Sequence, residues 1–287
     1  MKRVLSVIFL STMPLILSCG ILANIQINAG QILRQASPFV YGGQQVAWNT
    51  GSGALQNRWG AVVHPTVFNP YLISTAKQLP LATMRLHGDL YYNWRASVGP
   101  VQERPGVRSY HLNRTIASNA YGPDEFIALC RMINAEPVVG APYLLATPDN
   151  IASDSPIAFQ SAANFVEYMN SPSPGLAYGR QQGWEPVRWS NPPGNLPPWE
   201  PGKSYAKGSS VRAHNVIFTA LQTHTSSHAS SPGNGTDWRD YWEWKPRTEI
   251  ATAGKSWASW QQAPAGYFAW LREYFGNREP YHVKYWE

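Results

Sequence analysis

The chain has 287 residues, of which 44% are hydrophobic and 14% are charged, so it can bury a sizeable core and does not have the composition of a disordered protein. Its formal net charge is +6, but Lys and Arg are scattered in runs no longer than pairs, which argues against a nucleic-acid-binding surface. The 13 Trp and 15 Tyr residues among so few charges favour surfaces on which sugar rings stack.

Residues 1–23 have the pattern of an export signal. A basic start is followed by an apolar run over 4–17 that is too short for a typical membrane-spanning helix. Residues 16–19 (ILSC) resemble a bacterial lipoprotein box, in which Cys19 would carry a lipid and anchor the protein to a membrane. The alternative is an ordinary signal peptide that is cleaved near Ala23. Both alternatives predict a protein that is secreted or lipid-anchored at the bacterial cell surface.

Hydrophobic periodicity predicts alternating strands and helices over most of the chain. The predicted strands lie at 24–28, 40–48, 82–86, 136–140 and within 278–287. The predicted helices lie at 70–79, 124–133, 158–169 and 267–275. Cys130 falls on the apolar face of the second helix and is predicted to be a buried, inert thiol. The alternation is typical of an α/β fold with a parallel sheet or barrel, in which chemistry sits at the carboxyl ends of the strands.

One segment interrupts this alternation. Between 184 and 246 the helical periodicity vanishes, and Pro, Gly, Ser, Thr and Trp surround short alternating runs such as 216–220. This is the composition of a small all-β module inserted in a loop of the α/β fold. The chain is therefore predicted to contain four parts: a signal at 1–23, a β/α segment at 24–182, the inserted module at 184–246 and a β/α continuation at 248–287.

Several stretches outside the insert carry a family resemblance. They are 83–89 (TMRLHGD), 92–94 (YNW), 98–100 with 104–105, 122–126 (GPDEF), 135–137, 165–170 and 279–287 (EPYHVKYWE). In order and spacing they resemble the N-terminal part of α-L-arabinofuranosidases of glycoside hydrolase family 51 and neighbouring clan members. The resemblance implies the first half of a (β/α)8 TIM-type barrel, interrupted here by the small all-β module.

The same resemblance implies a sugar site at the end of the strand 82–86. Arg85 would lie at its floor and orient a carboxylate or sugar hydroxyls, with Asp89 and Asn93 near the mouth. Alternatively, Arg85 could be a structural ion-pair partner. His87 could donate to a sugar hydroxyl, or it could be an ordinary histidine at a strand end. The chain stops at Glu287, before the family positions of the general acid/base and the nucleophile. We therefore expect no catalytic residue here, and a fragment that does not hydrolyse sugar by itself.

The insert carries a second resemblance. Its frame consists of Trp199, Tyr205, Gly208, Val211, Phe218, Ala220, Pro232 and Trp238. This frame resembles carbohydrate-binding modules of families 5 and 12, the chitin-binding type 3 group. Residues 221–224 (LQTH) replace that group's paired Trp, so a stacking platform would come from Trp199, Tyr205, Trp242 or Trp244. The alternative is that Trp199, Tyr205 and Trp238 form the core of a module too small to fold without large aromatic residues.

The sequence indicates no cofactor and no metal site, because His224 and His228 have no Cys or carboxylate beside them. The predicted partner is a polysaccharide, either chitin, cellulose or a plant glycan that contains arabinose or xylose. The leading hypothesis is an exported glycoside hydrolase fragment with a carbohydrate-binding module. The alternative is a non-catalytic carbohydrate-binding or adhesion protein.

Overall fold

The computed structural model describes residues 42–46, 70–79, 81–87, 93–108, 116–117, 119, 121–141, 145–146, 151–152, 156–250 and 260–287. In chain order the helices are α1 (Pro70–Gln78), α2 (Pro123–Ile133), α3 (Pro156–Asn170), α4 (Leu176–Gln181), α5 (Trp238–Tyr241) and α6 (Tyr267–Tyr274), with 3-10 turns at Trp94–Ser97 and Trp260–Gln262. Among these described residues, no helix is both long enough and apolar enough to cross a lipid bilayer.

The strands are short. In chain order they are β1 (Gly42–Val46), β2 (Thr83–His87), β3 (Val107–Arg108), β4 (Ile116–Ala117), β5 (Glu136–Val139), β6 (Leu145–Ala146), β7 (Ile151–Ala152), β8 (Arg188–Trp189), β9 (Ser204–Tyr205), β10 (Ser210–Ala213), β11 (Val216–Ala220), β12 (His224–Thr225), β13 (Trp242–Lys245), β14 (Glu249–Ile250) and β15 (Tyr285–Trp286). The strand predicted at 24–28 lies outside the described residues.

The main sheet consists of four parallel strands in the order β1-β2-β5-β15. Arg85 of β2 is the register partner of Val138 in β5, and Val138 is in turn the partner of Tyr285 in β15. Helices connect each strand of this sheet to the next along the chain. The predicted α/β class with a parallel sheet is therefore confirmed.

Helix α2 begins and ends at residues suited to those positions. Pro123 occupies its first turn, where a missing N–H costs nothing, and Glu125 Oε2 accepts the Gly122 N–H at 2.7 Å. The helix ends at Ile133, and the following Asn134 caps it in the left-handed conformation with φ of 58°. Cys130 on its inner face is free and 2% exposed, as predicted, and burial raises the pKa of its thiol to about 12.

The core between the sheet and helices α3 and α6 is aromatic. Trp94 lies 5.1 Å from Phe165 and 5.3 Å from Phe268, and each of the three rings is at most 1% exposed. Full burial of one such side chain stabilises a fold by roughly 1.5–3 kcal/mol. The packing of Trp94 therefore fixes the 3-10 turn that follows the carboxyl end of β2.

The last strand is shorter than predicted. Pro280 has no N–H to donate, and His282 adopts the left-handed conformation with φ of 56°, so regular pairing starts only at Tyr285. The Asn170 side chain replaces the missing partner strand at Val283. Its Nδ2 donates to the Val283 carbonyl and its Oδ1 accepts the Val283 N–H, both at 2.8 Å.

Residues 188–250, called the β region below, fold mainly as short antiparallel strands. Strands β10, β11 and β13 form one sheet, and β8 pairs with β14 at the base, where the chain enters and leaves. The short helix α5 also belongs to the β region, which is therefore not purely β. Its core consists of Tyr205, Val211, Val216, Phe218, Ala220, Trp238 and Trp242, together with Ile116 from β4. The predicted borders at 184–246 and the predicted carbohydrate-binding role stay predictions.

Candidate functional site

Arg85 and Glu287 form an ion pair at the carboxyl end of the parallel sheet. Arg85 Nε donates to Glu287 Oε2, although 202 positions separate the two residues in the chain. The strand register explains the contact. Arg85 is level with Tyr285, two strands away, and Glu287 lies two residues after Tyr285 and so on the same face of the sheet.

Backbone hydrogen bonds hold Glu287 in place. Its N–H donates to the Val139 carbonyl at 3.0 Å, and its own carbonyl accepts the Ala141 N–H at 3.0 Å. The backbone hydrogen bonds of the sheet therefore extend one residue past β15. They fix the backbone position from which the Glu287 side chain projects. Such anchoring of a polar side chain on the strand ends suits a binding site better than a loop position would.

The pair is open to solvent. The Arg85 side chain is 32% exposed and that of Glu287 is 55% exposed. An exposed ion pair contributes only about 0–1 kcal/mol to stability. Its more important property is recognition, because a guanidinium carries five N–H donors in one plane and a carboxylate offers only acceptors. Together they can bind the vicinal hydroxyls of a sugar.

The other residues predicted for the sugar site differ in what the structure shows of them. His87 is the last residue of β2. Asp89 lies outside the described residues. Asn93 immediately precedes the 3-10 turn and is 8% exposed. Its Oδ1 is buried, and no group in the described ranges donates a hydrogen bond to it. The Asn93 amide is therefore shielded from solvent and lies in the loop that follows the carboxyl end of β2.

Arg95, which the sequence reasoning missed, ties this loop to other parts of the chain. Its guanidinium donates to Glu249 at 3.0 Å and to Ser161 Oγ at 3.1 Å, and it lies 3.5 Å from the centre of the Trp260 ring. The adjacent Trp94 donates through Nε1 to the Ser161 carbonyl at 3.2 Å. A Trp-Arg pair inside a polar loop was the only local signal for this anchor.

Two of the four predicted stacking residues lie in the core of the β region. Trp242 is 1% exposed and donates through Nε1 to the Ser230 carbonyl at 2.9 Å. Tyr205 is 5% exposed, and its ring lies 5.1 Å from that of Trp242. Neither ring therefore offers a free face to a sugar. The core role that sequence reasoning gave as the alternative for Tyr205 and Trp238 is the one the structure shows.

Trp199 and Trp244 are only partly buried and lie against that core. Trp244 is the register partner of Phe218 and shares its face of the sheet. The Nε1 atoms of both Trp residues are buried and have no hydrogen-bond partner among the described residues. Contact with a sugar would therefore involve the exposed part of each ring and not the indole N–H.

His224 also packs among aromatic rings. Its ring lies 4.7 Å from that of Tyr241 and 5.0 Å from that of Trp242, and its Nδ1 lies 3.0 Å from the Gln222 carbonyl. Across the part of the chain that the structure describes, no three His, Cys, Asp or Glu side chains are grouped so that they could hold a metal ion.

A second set of charged groups supports helix α2. Arg104 donates to both carboxylate oxygens of Glu125, at 3.0 and 2.8 Å, and both side chains are buried. The neighbouring Asp124 accepts hydrogen bonds from the hydroxyls of Tyr281 at 2.6 Å and Tyr168 at 2.9 Å. Burial, followed by the charge of Glu125, raises the pKa of the Asp124 carboxyl to about 6. Arg104 and Glu125 are buried and Asp124 is partly buried, and their contacts with other parts of the chain indicate a structural role.

Comparison with known proteins points to one family for part of the chain. Residues 83–200 match the model of the α-L-arabinofuranosidase 1 domain. An intracellular exo-α-L-arabinofuranosidase of Bacteroides ovatus is 28% identical over 145 residues, which are 50% of this chain and 24% of that enzyme. The match thus spans about a quarter of this relative. The matched stretch is arabinofuranosidase-like, and it extends into the first part of the range 184–246.

Solved structures give weaker similarities. The family 51 α-L-arabinofuranosidase of Thermotoga petrophila RKU-1 has 20% identity and a TM-score of 0.40, over 54% of this chain and 31% of that one. The family 51 arabinofuranosidase of Xanthomonas axonopodis pv. citri has 20% identity and a TM-score of 0.40, over 54% and 30%. The family 51 α-L-arabinofuranosidase of Bifidobacterium longum has 20% identity and a TM-score of 0.38, over 50% and 27%.

The predicted localisation is wrong. The sequence pattern at residues 1–23 predicted a protein secreted or lipid-anchored through Cys19, whereas the matching Bacteroides ovatus enzyme is described as intracellular. A short apolar run after two basic residues is weak evidence for export, because it is a feature of composition alone.

Proposed function

We propose that this chain forms the sugar-binding first half of an arabinofuranosidase-like (β/α)8 barrel, within a glycoside hydrolase that acts on arabinose-containing glycans. One observation carries the proposal. Arg85, inside the stretch that matches the arabinofuranosidase domain, pairs with Glu287 at the carboxyl end of the parallel sheet. In β/α barrels this end of the sheet holds the substrate.

The strand order supports the barrel interpretation. Each strand of the main sheet lies beside the strand that follows it in the β/α pattern, and all four are parallel. A helix or helices lie between each pair of neighbours along the chain. This singly wound order is the one that consecutive strands have in an eight-stranded barrel, whereas a doubly wound sheet would reverse its strand order.

In the proposed site, Arg85 and Glu287 orient the sugar. The guanidinium donates to hydroxyl oxygens while the Glu287 carboxylate accepts hydroxyl protons, so the pair fixes the ring from two sides. We assign Asn93 to the loop that borders the site, because it lies shortly after the carboxyl end of β2. We also assign Asp89 and His87 to this mouth, because both follow Arg85 closely in the sequence.

Retaining hydrolysis needs one carboxylic acid to protonate the leaving oxygen and a second carboxylate, about 5 Å away, to attack the anomeric carbon. We assign neither role to Glu287, because its carboxylate is paired with Arg85. Arg85 and Glu287 then bind and orient the sugar, and the proton transfer and nucleophilic attack belong to other carboxylates of the complete enzyme.

The β region would bind the same glycan through Trp199 and Trp244. Both rings are partly exposed, and both pack against the aromatic core of the β region. Stacking of a sugar on such a ring removes apolar C–H surface from water. Arabinose-containing polymers are the first substrates to test, with chitin and cellulose as comparisons.

Titration calorimetry with methyl α-L-arabinofuranoside tests the site. Glu287→Gln should weaken binding at least about tenfold, since the amide cannot pair with Arg85 or accept as strongly. Glu279→Gln, at an exposed residue in the same segment, is the matched control and should bind like the parent. Equal affinities of the Glu287 and Glu279 variants would contradict the assignment.

Release of 4-nitrophenol from 4-nitrophenyl α-L-arabinofuranoside tests the assignment of the catalytic roles. We expect the chain to bind this compound without hydrolysing it, because the proposal assigns proton transfer and nucleophilic attack to other carboxylates. Hydrolysis that is lost on substitution of a carboxylate of this chain would contradict that assignment. Absence of binding, with a folded protein by circular dichroism, overturns the proposal.

A further inference from the structure

We propose that the β region is docked in one fixed orientation on the loop that follows β2, so that it and the Arg85–Glu287 pair grip one polysaccharide chain at a constant separation. The glycan part of this inference rests on the proposed function, whereas the docking stands on contacts alone. The loop in question is 93–108 with β4, and it starts from the carboxyl end of the sheet.

The first contact is made by the turn between β10 and β11. His214 and Asn215 are both left-handed, with φ of 49° and 57°, which turns the Asn215 side chain out of the β region. Its Nδ2 donates to the carbonyls of Gln102 at 2.7 Å and Arg104 at 2.6 Å. Both amide hydrogens are thus used to hold two backbone groups of the loop.

The backbones approach closely at the same point. A Cβ added to Gly106 would lie 2.5 Å from the His214 carbonyl oxygen, so this contact needs glycine. A loose tether would not bring two main chains so near each other. The loop and the turn are therefore in direct van der Waals contact.

The second contact is a buried arginine. Arg247 is 5% exposed and donates to the Glu103 carbonyl of the loop at 3.0 Å. The same guanidinium donates to the carbonyls of Ser190 at 2.9 Å and Trp189 at 3.3 Å, at the base of the β region. Hydrogen bonds from a charged donor are typically the stronger ones, so Arg247 joins the base to the loop.

The third contact is a shared hydrophobic core. Ile116 belongs to the loop strand β4, yet it is 0% exposed within the aromatic core of the β region. Its N–H donates to the Gly233 carbonyl at 2.8 Å. The small core is thus completed by a residue from outside the β region.

The loop is itself tied to the α/β part. Arg104, whose carbonyl accepts from Asn215, also forms the buried bidentate pair with Glu125 of α2. At the other end of the loop, Arg95 pairs with Glu249 of β14 at 3.0 Å. The chain of contacts from helix α2 to the β region is therefore continuous.

A fixed separation has a binding consequence that a flexible tether lacks. Two sites that already stand at the right distance capture a polymer without first ordering a linker, whereas short fragments that reach one site gain nothing. A fixed separation therefore favours binding of a polymer over binding of a short oligomer. Asn215 is the positioning residue most accessible to substitution.

Distances between spin labels test the docking. Labels at Lys207→Cys in the β region and Ala177→Cys on helix α4 occupy exposed positions, and a Cys19→Ser background leaves only Cys130. The Cys130 thiol is buried with a raised pKa of about 12, so it should not react with the label. Double electron–electron resonance should give one narrow distance distribution for the parent.

Asn215→Asp places a carboxylate against two carbonyl oxygens and should at least double the width of that distribution. Asn215→Gly, which keeps the left-handed turn but removes the amide, should widen it as well, and circular dichroism checks that both variants fold. Asn195→Asp, at an exposed loop position, is the matched control and should leave the width unchanged. A broad distribution in the parent overturns the docking, and equally narrow distributions in both Asn215 variants overturn the role of Asn215 as its positioning residue.

Affinities for linear arabinan and for arabinotriose test the glycan part. In the parent the polymer should bind more tightly than the trimer, and Asn215→Asp should reduce that ratio at least about tenfold while leaving trimer affinity unchanged. A ratio that does not fall overturns the shared grip. Narrow distances without any binding of arabinan overturn the proposed function and the glycan part together, and leave the docking intact.

Discussion

At the scale of single residues, the informative side chains are polar groups whose environment decides their role. Arg85 and Glu287 are exposed and paired, so they contribute little stability and are free for recognition. Glu125 is buried and Asp124 is partly buried, and each accepts hydrogen bonds from hydroxyl or guanidinium donors. Sequence alone did not separate these carboxylates, because all of them follow strand or helix boundaries with similar neighbours.

Asp124 should give the stability a recognisable pH dependence. Its pKa of about 6 lies above the value of about 3.9 in an unfolded chain, so the native state binds the proton more tightly. The resulting stabilisation is present below about pH 4 and is lost as the pH rises towards 6. Urea unfolding at pH 4.0 and 6.5 should show that Asp124→Asn gains stability relative to the parent over this interval. A difference between the two proteins that does not change with pH would refute the assignment.

At the scale of elements, β15 shows how a side chain can replace a strand. Residues 278–287 have the composition of a strand, and the sequence predicted one, but Pro280 and the left-handed His282 shorten it to Tyr285–Trp286. The amide of Asn170 then satisfies Val283 from helix α3. Periodicity finds the strand, but it cannot reveal a long-range side-chain partner.

Asn170→Ala should therefore loosen the end of the sheet. The change leaves the Val283 N–H and carbonyl without partners, which costs about 1–3 kcal/mol, and hydrogen exchange of the Trp286 and Glu287 amides should accelerate. Asn195→Ala, at an exposed loop position, is the control and should leave both rates unchanged. Unaltered exchange in Asn170→Ala would show that β5 alone holds β15.

At the scale of the whole molecule, local patterns located the main α/β elements but not their long-range partners. The helices and the strands of the main sheet from 70 to 170 match the predicted ranges closely, because each has its own periodicity, whereas the short strands β3, β4, β6 and β7 were not predicted. The burial of Trp242 and the contact of Asn215 with the loop at 102–104 depend on residues far apart in sequence. Composition suggested that Trp242 is exposed as a stacking platform, whereas the fold buries its ring.

The buried pair of Arg104 and Glu125 should be the strongest coupling across the molecule. Arg104→Ala leaves a buried carboxylate unpaired and should cost roughly 3–5 kcal/mol in urea unfolding. In Arg104→Ala with Glu125→Ala, the cost should be well below the sum of the single changes, since neither charge is then stranded. Additive costs would mean that the two side chains contribute independently.

Ile116 has a consequence for how this architecture can be taken apart. A domain that is attached only at its base can be excised or transplanted by cutting there. Here, however, the core of the β region includes Ile116, which comes from the loop that follows β2. Excision at β8 and β14 would leave a cavity in the core of the β region and an exposed Ile116 side chain on the α/β part. Any working transplant must therefore carry the segment around Ile116 along with the β region.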